Sequence, residues 1–153
     1  MTSILLSVRP AFAHALLAGT KTVEVRRRFP DVATPATIYV YSSTPDRAVL
    51  GTIELEGIDR PLASSVWDLY RHEIQIHRQP LEEYLENVND AAILRVRSPI
   101  RWPKAVPLAL LRSEIGLEPP QSFRYVDSAR EELLRLCANG VTSTTLSALT
   151  AAG

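Results

Sequence analysis

Two alternating segments stand back to back in the first half of the chain: ATIYVYSS (Ala36–Ser43) and AVLGTIELEGI (Ala48–Ile58), separated by the Pro45-Asp46 turn. Every second residue in such a run projects to the same side, so each segment buries one face of a strand. With so few residues between them the two pair as antiparallel neighbours, and Gly51 marks a bulge or a close backbone approach. Any fold for this chain must be built around that pair.

Other short strands surround it. SILLSV (Ser3–Val8) is an apolar run closed by Arg9-Pro10, KTVEVRRRF alternates around Val23 and Val25, and AAILRVRSPIRW (Ala91–Trp102) returns to strand character. Helices fall between some of them. PAFAHALLAG begins with proline at the first helical position and ends on Gly19. PLASSVWDLYRHE and PLEEYLENV carry helical spacing, PLALLRSEIG adds a turn or two, and LEPPQSFRYV is stiffened by prolines. SAREELLRLCANG reads as a helix capped by Ser128, with Glu131 three residues on and Gly140 as terminator. The closing VTSTTLSALTAAG is weakly patterned. No regular strand–helix–strand rhythm runs through the chain, which argues against a doubly wound parallel sheet. The expected class is α+β, mainly β: five to six mostly antiparallel strands closed or half-closed into a small barrel with helices around it.

At 153 residues the chain fits one domain, and 46% apolar against 22% charged residues suits a buried core. Formal net charge is zero, so affinity for an anion must come from local clustering rather than a global field. No apolar run approaches the ~20 residues needed to cross a bilayer, and MTSILLSVRP does not read as a signal peptide. The single cysteine, Cys137, excludes an internal disulfide and suits a reducing compartment. A cytoplasmic protein without a membrane partner, monomeric or weakly dimeric, is expected.

The usual catalytic signatures are missing. GTKT lacks the upstream glycine of a phosphate-binding loop, and no G-x-S-x-G elbow occurs. His72 and His77 are five apart, the wrong spacing for two ligands on one helical face, and there is no C-x-x-C, so no metal or other cofactor is expected. Cys137 sits on the apolar face of its helix as a buried thiol.

What remains is the stripe KTVEVRRR. Strand parity places Lys21 with Val23 and Val25, towards the barrel mouth, and Thr22, Glu24 and Arg26 on the other face, with a carboxylate between cations. A solvated strand face with surface arginines, or a salt bridge tying strand to helix, is the plain alternative.

The segment ILLSVRPAFAHALLAGTKTVEVRRRFP resembles the start of an ASCH domain, a branch of the PUA-like β-barrel superfamily. The shared signature is Gly19, Lys21, Glu24 and Arg26, in the spacing G-x-K-x-x-E-x-R. YSSTP, AVLGTIELEGI and PPQSFRYV add to the likeness, especially to the ASCH subgroup described as predicted transcriptional regulators, although no helix-turn-helix is evident. The resemblance covers about residues 4–126, giving an ASCH domain over 1–126 and a C-terminal helix and tail over 127–153, packed on the barrel or frayed. It implies a cleft beside the helix after the first strand, faced by Lys21, Glu24 and Arg26. Parity separates Lys21 from Glu24; either a bulge unites them or one assignment is wrong.

ASCH domains are generally proposed to bind RNA or to act on RNA-derived nucleosides, so the resemblance implies an RNA- or nucleotide-binding cleft. Arg9, Lys21, Arg26, Arg28 and Arg124 would hold phosphates, Glu24 would sit among them, and Ser42, Ser43, Gln121 and Ser122 would read base edges. Tyr125 or Trp102 would stack. On this reading Lys21→Ala and Arg26→Ala weaken RNA binding and leave thermal stability nearly unchanged. The alternative is an amidohydrolase similar to the relative that deacetylates N4-acetylcytidine with a lysine, a threonine three residues on and a distant glutamate. Lys21 keeps the lysine, Glu24 replaces the threonine, and Glu73 is the nearest candidate for the glutamate, so Lys21 and Glu24 would be catalytic.

Overall fold

The computed structural model describes residues 1–142. The sequence-based reading of 143–153 lies outside that range. Six strands form one curled mixed sheet: β1 (Thr2–Val8), β2 (Val23–Arg26), β3 (Ala36–Ser42), β4 (Ala48–Asp59), β5 (Ala92–Pro107) and β6 (Phe123–Tyr125). Their spatial order is β2-β5-β4-β3-β1-β6. The β1–β3 pair is parallel and every other pair antiparallel, so the mostly antiparallel half-barrel expected from the sequence is what forms.

The central β3–β4 hairpin follows from its alternation, with Ala36 opposite Leu55 and Ser42 opposite Ala48. Gly51 meets both expectations. Register shifts flank it, and a Cβ there would lie 2.1 Å from the Ile100 carbonyl oxygen of the neighbouring strand. Backbone cannot yield as a side chain does, so Gly51→Ala is expected to cost about 2 kcal/mol. For a domain of this size that lowers the thermal midpoint by about 6 °C, measurable by circular dichroism.

The helix α1 (Pro10–Ala18) stops where Gly19 enters the left-handed region at φ 81° and turns its N–H back to Leu16. Short helices α2 (Val66–Tyr70) and α3 (Arg78–Tyr84) cover the β2–β5 end, burying Val66, Ile74, Leu81 and Leu85 against Val23, Val25 and Ile93. The VWDLY helix ends at Tyr70, so His72 and Glu73 belong to the following turn rather than to a helix.

On the opposite sheet face, α4 (Leu108–Leu110) runs through a π-helical turn (Leu111–Ile115), and α5 (Ser128–Ala138) packs beside it. Leu134 and Cys137 are buried there against Leu5, Tyr39 and Val49, and burial raises the Cys137 thiol above its ordinary pKa. The cap of α5 is Asp127, one residue before the expected Ser128; its Oδ1 accepts from the Arg130 N–H at 2.8 Å. Glu131 forms no capping box. Its Oε1 accepts from Ser3 Oγ at 2.9 Å and Tyr39 Oη at 2.8 Å, joining α5 to β1 and β3. Gly140 terminates the segment at φ 80° as expected.

Candidate functional site

The curl leaves a seam where β2, at one edge of the sheet, swings back towards β1. Arg26 spans it. Its Nη2 donates to the Ser7 carbonyl on β1 at 2.7 Å and to Glu24 Oε2 at 2.9 Å. Its Nε is buried without a partner among the described residues. A cleft of about 510 Å³ opens along this seam. One side is Ser7, Val8, Arg9 and Phe12 from the β1–α1 junction, and the floor is Glu24, Val25 and Arg26. Tyr41, Ser43 and Thr44 from the β3 end, Ile76, Pro80 and Tyr84 from the α3 region, and Pro119–Gln121 complete it.

The signature residues do converge, but in two layers. Lys21 lies before β2, where the turn after Gly19 breaks the strand count; parity therefore does not extend to it, and no bulge is needed. Its side chain is wholly buried, against the expectation that it faces the barrel mouth. Nζ donates to the Ile74 carbonyl, lies 3.5 Å from Glu24 Oε1, and sits 4.8 Å from the centre of the Phe12 ring. Lys21 is thus behind the floor rather than on it. Burial lowers its pKa below the ordinary lysine value, opposed by the Glu24 charge. Glu24 is the hinge between the layers: only 5% exposed, it holds Lys21 with one oxygen and Arg26 with the other, and still lines the cleft.

The three arginines of the stripe separate. Arg26 enters the cleft, Arg27 donates to the Tyr84 carbonyl at 3.1 Å, and Arg28 projects into solvent without lining the cleft. Arg9 lines it, exposed and outside every ion pair found among the described residues.

Ser43 and Gln121 also line the cleft, as expected, whereas Ser42 and Ser122 do not. Ser42 is fully buried, and its Oγ donates to Asp46 Oδ2 at 2.7 Å. His14 Nε2 is also 2.7 Å from that oxygen; together these bonds hold the Asp46 carboxyl below its usual range. Ser122 is occupied by its backbone, whose carbonyl accepts from the Ser7 N–H at 3.0 Å. Arg124 and Tyr125 belong to β6, exposed and away from the cleft, and Trp102 packs on Tyr39 in the opposite core. None of these three can stack on or bind a ligand in the cleft. Glu73 also lies outside it, fixed through its carbonyl to the Thr22 N–H at 3.1 Å.

The aromatic members of the cleft are Phe12, Tyr41 and Tyr84, none of which sequence reasoning placed at a ligand site. Tyr41 reads as one more residue of an alternating strand. Tyr84 sits in PLEEYLENV, where 40% exposure of a large ring at a helix end is the only signal. Among the described residues no three of His, Cys, Asp and Glu gather as a metal-holding group, and no helix is long and apolar enough to cross a membrane.

The arrangement is an open slot with two guanidinium groups, a fixed carboxylate, hydroxyls and one accessible aromatic face. The chain as a whole is similar to known proteins. An ASCH domain-containing ribonuclease of Zymomonas mobilis is 34% identical over 133 residues, spanning 86% of this chain and 87% of that protein. The crystal structure of ASCH from Zymomonas mobilis superposes with a TM-score of 0.82 at 29% identity, covering 92% of this chain and 96% of that one. A serine-to-alanine variant of the Zymomonas protein superposes at 0.83 with 28% identity, over 88% and 95% of the two chains. The ASCH domain model itself matches residues 6–103, a stretch that runs from the end of β1 through α1, the Lys21–Glu24–Arg26 cluster, β3 and β4 into β5. With that model matched over most of the described residues and a relative 34% identical over 86% of its length, this chain belongs to the ASCH domain family.

Proposed function

We propose that the seam cleft binds single-stranded RNA and that the protein cleaves it. The observation that carries this reading is the pairing of Arg9 and Arg26 on one slot with the exposed ring of Tyr84. A guanidinium fork suits phosphate oxygens, and an open aromatic face suits an unstacked base, the two needs of single-strand recognition. At about 510 Å³ the cleft falls within the ~300–1,000 Å³ of small-ligand sites, enough for a nucleotide-sized piece of a longer strand. The ribonuclease relative supports phosphodiester cleavage as the reaction.

In that reaction the ribose 2′-oxygen bonds to phosphorus and gives up its proton as the P–O5′ bond breaks, the 5′-oxygen takes up a proton, and Arg9 and Arg26 stabilise the negative charge that builds on the non-bridging oxygens. Hydroxyls of Ser43 and Thr44 at the end of β3 are protic groups available for proton transfer. Lys21 acts from behind by holding Glu24 in place, a positioning role. N4-Acetylcytidine deacetylation has no comparable support, since Lys21 Nζ is enclosed and Glu24 stands where a hydroxyl would be needed.

The test is incubation of purified protein with an end-labelled single-stranded RNA of mixed sequence, resolved on a gel, beside a duplex of the same sequence. Single strands are expected to be cut and duplexes spared. Binding without cutting would remove the catalytic half of the reading, and neither binding nor cutting would remove all of it. N4-acetylcytidine in the same buffer is expected to yield no cytidine.

A further inference from the structure

We infer that the cleft selects guanine, with Glu24 as the residue that reads the base. This rests on the RNA-binding reading above and adds to it the identity of the base in the slot. Glu24 is buried, lies on the cleft floor, and cannot swing: one oxygen faces Lys21 Nζ at 3.5 Å and the other faces Arg26 Nη2 at 2.9 Å. Each oxygen has two lone-pair directions and spends one on its protein cation. What the floor offers a ligand is a pair of fixed acceptors about two ångströms apart with no donor between them.

Among the common bases only guanine answers such a pair. Its N1–H and N2–H₂ groups lie side by side on the Watson–Crick edge, two donors pointing the same way. Adenine and cytosine each place one amino donor beside a ring acceptor, and uracil places one imino donor between two carbonyls. Against a carboxylate these three leave an acceptor facing an anion, which repels. The remaining lining suits a base with this edge down: Ile76, Pro80 and Tyr84 from the α3 region supply apolar surface, and Arg9 from the β1–α1 junction supplies a cation for the phosphate. A carboxylate held by two cations needs no large movement to receive the base, so little ordering cost is due on binding.

Mononucleotides separate this inference from the reading beneath it, because they bind but cannot be cut. Wild-type protein is saturated with a fluorescein-labelled 2′-O-methyl RNA pentamer, which resists cleavage, and GMP, IMP, AMP, CMP and UMP are added as competitors. GMP is expected to displace the probe at a concentration at least about tenfold lower than AMP, CMP or UMP, the scale of one bidentate base contact. IMP lacks the N2 amino group and is expected to fall between, several-fold weaker than GMP. In Glu24→Gln, whose amide offers one acceptor and one donor, the GMP advantage is expected to vanish while the circular dichroism spectrum is retained. Tyr84→Ala is expected to weaken all five competitors alike. Equal displacement by all five nucleotides, or IMP equal to GMP, would overturn the guanine assignment and leave the RNA cleft standing. Failure of the pentamer itself to bind would instead remove the reading on which the assignment rests. Should Glu24→Gln not fold, the GMP–IMP comparison on wild-type protein decides the matter alone.

Discussion

Lys21→Ala is expected to unfold about 10 °C below the wild type, the reverse of what a cleft-facing lysine would give. The substitution removes the donor to the Ile74 carbonyl, empties the space over Phe12, and leaves Glu24 buried with Arg26 as its remaining ion-pair partner. Breaking a buried pair from one side costs ~3–5 kcal/mol, and for ~150 residues each kcal/mol moves the midpoint by about 2–4 °C. Thermal denaturation followed by circular dichroism measures it directly. A fall of less than about 3 °C would show that Lys21 is not enclosed.

The pH dependence has a definite sign. Burial, the leading influence, lowers the Lys21 pKa below 10.5, so the folded state gives up this proton before the unfolded chain does. Between those two values the unfolded state binds more protons and stability rises with pH. Compared with Lys21→Met, wild-type protein therefore gains relative stability as pH approaches 10.5.

The second large effect concerns affinity rather than stability. Arg9 is exposed and outside any ion pair among the described residues, so Arg9→Ala leaves the midpoint within about a degree while weakening RNA binding. A charge-assisted contact contributes ~1.5–3 kcal/mol, which corresponds to roughly ten- to a hundredfold in affinity. With two guanidinium groups on the phosphates, the logarithm of affinity is expected to fall with the logarithm of salt at a slope of about −1.4, and at about −0.7 in Arg9→Ala. Such a shallow dependence is what a chain of zero net charge should show. Arg26→Lys tests the fork separately. It keeps the charge and loses the simultaneous grip on Ser7 and Glu24, so it should lower both affinity and thermal midpoint.

How far the sequence could reveal this depends on the range of the interactions. Features decided within a few residues were legible: the left-handed stops at Gly19 and Gly140 and the β3–β4 hairpin. The cap at Asp127 was missed by one position because Asp127 and Ser128 are both good capping residues and only geometry separates them. Parity failed at Lys21 because a period-two count holds only inside a strand, and β2 begins at Val23.

The cleft itself was legible only in part. Gly19, Lys21, Glu24 and Arg26 carry a recognisable spacing, yet nothing local says that Lys21 goes behind the floor. That placement is fixed by Ile74, fifty-three residues away in sequence. Ser42 is the last residue of β3 and Ser43 the first of the turn after it, so one is buried and the other lines the slot. Tyr41, Tyr84 and Pro119–Gln121 meet through the parallel β1–β3 pairing and the curl of the sheet, long-range events that leave no periodic trace. Arg124 and Tyr125 show the opposite error. They are close in sequence to the cleft-lining Gln121 but have already entered β6.

The central claim is that a short RNA strand lies in the seam between β1 and β2. Nuclear magnetic resonance mapping at low ionic strength, with a 2′-O-methyl pentamer that resists cleavage, tests it most directly. The largest shifts are expected at Arg9, Glu24 to Arg26, Ser43, Thr44, Tyr84 and Gln121, with the Arg9 and Arg26 guanidinium signals moving together. Shifts centred on Arg124, Tyr125 and the outer face of β6, with Arg9 and Arg26 unmoved, would contradict it.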